Sequence, residues 1–186
     1  YEIPKRDWSS DVCSSDLIYQ LMPLGVAVPK TDLDARIALD IARDLKVPVL
    51  ARGAGSSQCG QTVGEALVID DSRYLNRLLA LDLESMTAAV EPGMVLDHLN
   101  AQLKPHGVWF PVDVSTSAQC TLGGMAGNNS CGSRSLYYGN MVHNVEGIHA
   151  VLADGTQAYF GRFGDGGDMT LTNARLNRLI PKLFEI

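Results

Sequence analysis

The sequence predicts an α+β fold with mixed sheets, and three observations carry that reading. A strand, an amphipathic helix and a second strand follow one another from Gly25 to Leu50, within the roughly thirty residues that a βαβ unit occupies. Beyond Ala66 the apolar runs become short and are separated by turn-like clusters, the spelling of strands joined by tight connections. The whole chain of 186 residues is 46% hydrophobic and 19% charged, the profile of an ordinary globular domain rather than a disordered or fibrous chain.

The elements follow in order. Gly25-Val26-Ala27-Val28-Pro29 is an apolar run closed by proline, as expected of a strand entering a turn. Thr31 offers an N-cap, Asp32 and Asp34 suit the positive end of a helix dipole, and Ile37, Ala38, Ile41, Ala42 and Leu45 recur at helical spacing. That helix should pack on a sheet through this apolar set, and Val47-Pro48-Val49-Leu50 is the next strand. Ala66 to Asp70, Leu78 to Asp82 and Met86 to Val90 read as a meander. After Pro92-Gly93, the residues Val95, Leu96, Leu99 and Leu103 mark a helix that stops at Pro105-His106-Gly107. Val145 to Ala153 reads as a buried strand, turned by Asp154-Gly155 into Thr156 to Phe160. Leu176, Leu179, Ile180 and Leu183 share a helical face in the tail from Thr172 to Phe184, interrupted by Pro181.

The start is different in kind. Arg6 to Leu17 has no periodicity, and its Ser/Asp repetition matches nothing downstream. Its codons back-translate into what looks like a sequencing-library adapter read in frame, so residues 1–17 are expected to be an artefact, the alternative being a genuine Ser-rich arm. The expected domain then runs over residues 18–163, followed by a linker and C-terminal helix over 164–186.

Composition excludes several function classes. A formal charge of −6 leaves no basic footprint for phosphate backbones, so nucleic acid is not an expected partner. No window approaches the roughly 18 apolar residues of a membrane span, and no basic-then-apolar secretory signal opens the chain, so a cytoplasmic protein is expected. Cys13, Cys59, Cys120 and Cys131 form no CxxC pair, which argues for free thiols rather than a zinc or cluster site.

Two stretches are too rich in glycine and serine to be simple connections. The first, Arg52-Gly53-Ala54-Gly55-Ser56-Ser57 through Gln61, directly follows a strand. Gly53 and Gly55 can take positive φ and turn successive N–H groups into one concavity, a nest for anionic oxygens. Arg52 adds a permanent charge and the serines add hydroxyl donors, chemistry that suits a pyrophosphate; a ligand-free turn is the bland alternative. The usual phosphate loops do not fit the spelling. The dinucleotide fingerprint needs a glycine where Gln58 stands and a helix afterwards, and no Gly-Lys-Ser/Thr closes a Walker A loop.

The second stretch runs from Pro111 through Asp113, Ser115, Thr116, Thr121, Gly123, Gly124, Gly127, Asn128 and Asn129 to Gly132. It reads as a long loop without periodicity, whose small residues let backbone approach a flat ligand while Ser, Thr and Asn bond a polyol or ring edge. Other tempting residues have bland readings. His98 and His106 flank a helix and its stop, His143 could lie near a cofactor, and Cys59 and Cys131 provide clearance more readily than redox chemistry. Asn128-Asn129-Ser130 spells a glycosylation sequon without a secretory route.

Taken together the two loops resemble the flavin domain of the vanillyl-alcohol-oxidase (PCMH) type, and within it the D-2-hydroxyacid dehydrogenase family of D-lactate, glycolate and D-2-hydroxyglutarate enzymes. The resemblance runs from about Pro23 to Phe160. Its blocks are Pro48 to Gln61, Val68 to Arg73, Leu75-Asn76-Arg77, Val90-Glu91-Pro92-Gly93, Leu122 to Gly132, Tyr138-Gly139 and Val151 to Gly155. It implies an FAD-binding PCMH-type domain of two α/β subdomains with mixed sheets, incomplete at its C-terminal side, serving hydride transfer from a D-2-hydroxy acid to flavin N5.

By that resemblance Arg52, Gly53, Ala54, Gly55, Ser56 and Ser57 wrap the FAD pyrophosphate with Gln61 nearby. Pro111 to Thr116 and Thr121 to Gly132 pass along the isoalloxazine and ribityl groups. Ser56 stands where covalently flavinylated relatives carry histidine, which implies noncovalent FAD. The family's substrate-gripping residues come largely from a downstream domain, and an Fe-S cluster would belong only to a further C-terminal module. The chain is therefore expected to be inactive alone, its catalytic residues and electron acceptor are not legible here, and a flavin- or nucleotide-binding module without catalysis is the alternative.

Overall fold

The capping sequence read at Thr31 forms as a reciprocal pair. In the computed structural model, which describes residues 21–161, the Thr31 hydroxyl accepts the Asp34 amide at 3.2 Å and the Asp34 carboxylate accepts the Thr31 amide at 2.9 Å. The adapter-like segment and the tail helix expected from Thr172 to Phe184 lie outside the described residues. The chain divides into two units, one running to Asn144 and one starting at Val145.

In the first unit β1 (Gly25–Ala27) leads into α1 (Asp32–Asp44), which returns to β2 (Val49–Arg52). These two strands do not pair with each other. β3 (Leu67–Asp70) inserts between them, parallel to both, in the order β1-β3-β2. The run at 66–70 is thus the centre of a parallel sheet and not the first rung of a meander. The reason lies in its spelling: Val68 and Ile69 are consecutive and both buried, and only a strand covered on both faces buries neighbours of opposite orientation.

A second expectation fails on α1. Ala42 is buried, Ala35, Ala38 and Leu39 are half-buried, and Leu33, Ile37 and Ile41 stay 52%, 48% and 53% exposed, with Leu45 also exposed. The helix turns its alanine side inward and its β-branched and leucine stripe outward. Alanine lets helix backbone approach a sheet closely, whereas apolar periodicity alone cannot choose between two adjacent stripes.

The runs at 78–82 and 86–90 do form a hairpin, β4 (Leu78–Asp82) with β5 (Thr87–Val90). Met86 belongs to its turn, at φ +56°, not to the strand. The Asp82 carboxylate holds that turn by accepting the Glu84 amide at 2.9 Å and the Ser85 hydroxyl at 2.7 Å. At the open end Arg77 grips the buried Glu91 with its backbone amide at 2.8 Å and its guanidinium at 2.7 Å. Those hydrogen bonds from Arg77 hold the Glu91 carboxyl below the usual carboxylate range.

The predicted helix after Pro92-Gly93 is α2 (Leu96–Leu103), and it buries Leu96, Leu99 and Leu103. A single 3₁₀ turn, Lys104–His106, ends at Gly107 with φ +74°, the stop read from the sequence. Met94, Leu96, Val68, Val112 and Thr121 are the most deeply enclosed side chains of the described residues.

In the second unit β6 (Gly147–Val151) and β7 (Gln157–Gly161) pair in register across Asp154-Gly155. Gly155 takes φ +82°, and the Asp154 carboxylate accepts the Thr156 amide at 3.0 Å. The hairpin is as read, but β6 is not a buried strand: Ile148 and Val151 are exposed, and Ala158 is the buried residue of the ribbon. A two-stranded ribbon has no second layer of its own against which to bury a face.

Candidate functional site

The first glycine loop leaves the end of β2, where the Asp71 amide donates to the Arg52 carbonyl at 3.1 Å. Gly55 adopts φ +67°, and a methyl group there would lie 2.5–2.8 Å from the Arg52 guanidinium, so the arginine side chain folds back across the loop. Gly53 differs from expectation because its φ is not positive; it is small for another reason, given below. Gly60, at φ +85°, is a left-handed position that the sequence reading missed.

Among the described residues no backbone N–H from 53 to 62 donates a hydrogen bond within the chain. Such a run of unpaired donors beside an arginine and two serine hydroxyls is an anion-binding arrangement. The donor set therefore fits a pyrophosphate.

The second stretch is not the structureless loop expected. Thr121 caps α3 (Leu122–Gly127), accepting the Gly124 amide at 3.4 Å, and Leu122 and Met125 are buried beneath it. Its approach is stitched to the segment before α2. The Leu122 amide donates to the Met94 carbonyl at 2.8 Å, the Gly123 amide to Pro92 at 2.8 Å and the Leu96 amide to Cys120 at 3.1 Å. Gly123 and Gly132 are small because of crowding. A methyl on Gly123 would lie 2.7 Å from the Pro92 ring, and one on Gly132 would overlap the Asp113 carbonyl.

The Asp113 carboxylate is committed within this stretch. It accepts the Arg134 amide at 3.0 Å and the Ser133 hydroxyl at 2.8 Å, and it pairs with the Arg134 guanidinium at 3.3 Å. The Arg134 amide, then the Ser133 hydroxyl, hold its carboxyl below the usual range. Asn129 is also engaged, at φ +46° with its side-chain oxygen accepting the Val142 amide at 3.0 Å.

The fold brings the two stretches together at three places. Gly53 packs against Thr121; the Thr116 and Ser56 hydroxyls lie 3.5 Å apart; and the Gln61 side chain donates to Ser57 and reaches Asn128 Oδ1 at 3.5 Å. Among the described hydrogen bonds, those of Asp113, Asn129 and Gly132 stay within the second stretch and its continuation. Pro111 is half-buried, Ser115 is exposed, and a methyl on Gly127 would meet open space.

The sequence reading passed over Asp71 at the root of the first loop. Burial, and secondarily the charge of Asp70, push its carboxyl up to about 6, and its Oδ1 has no hydrogen-bond partner. The adjacent Asp70-Asp71 pair at a strand end was the available signal. His143 has the bland role: its Nδ1 accepts the Asn140 amide at 3.1 Å beside Gly139. His98 and His106 are exposed, as are Cys59 and Cys131, while Cys120 is buried beside Met125. No cluster of metal-ligating side chains occurs among the described residues.

Known proteins agree with this geometry. The chain belongs to the FAD binding domain family, whose model matches residues 23–161. D-2-hydroxyglutarate dehydrogenase of Pantoea ananatis is 38% identical over 141 residues, which cover 74% of this chain and 14% of the relative. Glycolate oxidase subunit GlcD of Bacillus subtilis is 36% identical over 139 residues, covering 74% of this chain and 29% of the relative. A solved alkyldihydroxyacetonephosphate synthase superposes with a TM-score of 0.65 at 25% identity, over 75% of this chain and 27% of that one. The chain thus spans only a minor part of the proteins it matches.

Proposed function

We propose that this chain is the flavin-holding part of an FAD-dependent 2-hydroxyacid dehydrogenase, with a D-2-hydroxy acid as the hydride donor. The observation that carries the reading is the run of unpaired amides from 53 to 62 beside Arg52, in a chain of the FAD-binding family. Bound FAD supplies the hydride acceptor. Arg52, Gly53, Ala54, Gly55, Ser56 and Ser57 hold the pyrophosphate with charge and N–H donors. Pro111, Asp113, Ser115 and Thr116, with Thr121, Gly123, Gly124, Gly127, Asn128, Asn129 and Gly132, border the ribityl and ring portions, largely through backbone. Gln61 steadies the first group.

Ser56 offers no imidazole for a flavin bond, so the cofactor is held noncovalently. A cytoplasmic location accords with this role, and no helix among the described residues is long and apolar enough to cross a membrane. The substrate acid is gripped by groups outside the loops assigned here.

Titration of FAD with the purified chain tests the cofactor site: saturable quenching of flavin fluorescence is expected, followed by full release of the flavin on acid precipitation. Unquenched flavin throughout would overturn the assignment, and flavin retained in the acid pellet would overturn noncovalent binding. For the enzymatic part, the full-length flavoprotein is mixed anaerobically with D-2-hydroxyglutarate, D-lactate and glycolate. Bleaching by none of them would leave only cofactor binding.

A further inference from the structure

We propose that Gly53 and Thr121 form the junction that sets the spacing of the two glycine stretches, so that their packing, not direct ligation by the Thr121 hydroxyl, governs how tightly the flavin is held. The inference rests on the reading of these stretches as the FAD site. Gly53 has no positive φ to explain its lack of a side chain. Its reason is contact: a methyl group there would overlap Thr121 Oγ1 and sit 3.2 Å from Cβ and 3.4 Å from Cγ2.

Thr121 is in no position to yield. It is 2% exposed, its backbone bridges Val95, its hydroxyl caps α3, and the next amide is tied to Met94. On the other side Gly53 directly follows β2, whose last carbonyl is bonded to the Asp71 amide. Two restrained segments thus meet at one van der Waals contact. The other links between the stretches, Ser56 with Thr116 and Gln61 with Asn128, are exposed side-chain contacts at 3.5 Å and adapt easily. Enlarging Gly53 must therefore push the first loop away from α3 and carry Gly55, Ser56 and Ser57 with it.

The test is a size-exchange series, Gly53→Ala, Thr121→Ala, Thr121→Ser and the two doubles, titrated with FAD by fluorescence quenching. Gly53→Ala should weaken binding roughly tenfold or more, the scale of effect that overpacking produces. Thr121→Ala removes the overlapping hydroxyl, so the Gly53→Ala/Thr121→Ala double should recover most of that loss; the double with Thr121→Ser keeps the hydroxyl and should not. A hydroxyl that ligates flavin predicts the reverse, with the double variant weaker than either single.

Amide NMR without FAD gives an independent readout. Resonances of 55–57 and 122–124 should move in Gly53→Ala and return in the alanine double. If Gly53→Ala does not fold, restored folding in the alanine double supports the junction, and failure of both overturns it. Wild-type chain that does not bind FAD overturns the functional reading together with the claim on affinity. Resonances that do not return overturn the junction itself.

Discussion

The two glycine-rich stretches look alike in composition and behave oppositely in the fold. From 53 to 62 the first has no intramolecular partner for its backbone amides, and Cys59 and Gln61 within it are exposed. The second directs its amides inward, caps a six-residue helix with Thr121 and buries Val112, Cys120, Leu122 and Met125. Glycine serves dihedral freedom and donor access at Gly55, and close packing at Gly123 and Gly132. One stretch is built to meet a ligand and the other to stand still beside it.

The largest way to break this contrast is Gly132→Ala. The added methyl meets backbone that cannot swing aside, so a loss above about 3 kcal/mol is expected, beyond ordinary overpacking. Urea unfolding measures it, and a midpoint shift under 0.5 kcal/mol equivalent, the scale of an indifferent surface change, would show that the second stretch is as yielding as the first.

Gly55→Val comes next and should separate stability from binding. Left-handed strain of about 1–3 kcal/mol falls on a loop outside the core. FAD affinity should drop more than the unfolding free energy does, and equal losses in both would place the first loop within the cooperative core after all.

Asp71→Asn probes the root of the first loop through pH. Folding raises the Asp71 pKa to about 6, so the folded state favours the protonated acid. Its stabilising contribution is present at pH below the ordinary carboxylate value and is lost as pH rises through about 6. The amide, which cannot ionise, should raise the melting temperature at pH 8 and not at pH 4. An equal gain at both would mean that ionisation is not the source.

The smallest effect is expected from Asp113→Asn in the second stretch. Here the folded pKa is lowered, so the contribution is present above the usual carboxylate range and disappears as pH falls through the lowered value. Wild type should therefore lose its slight advantage over Asp113→Asn on acidification below about pH 3, and an advantage that persists there would point to shape rather than charge.

Much of this was legible in the chain itself. Thr31 with Asp34, Asp154 with Gly155, and the stop at His106-Gly107 are decided by bonds and dihedrals within a few residues, and each formed where it was read. Arg52, Gly55 and the serines announced an anion site for the same reason, since the nest is a property of contiguous backbone. Tertiary structure decided the rest. Insertion of β3 between β1 and β2, the choice of the alanine stripe on α1, and the meaning of Gly53 each depend on what arrives from a distant part of the chain: a pairing edge, a sheet face, the Thr121 hydroxyl. A single glycine can be spelled for its own φ or for a neighbour's volume, and only the neighbour's position distinguishes the two.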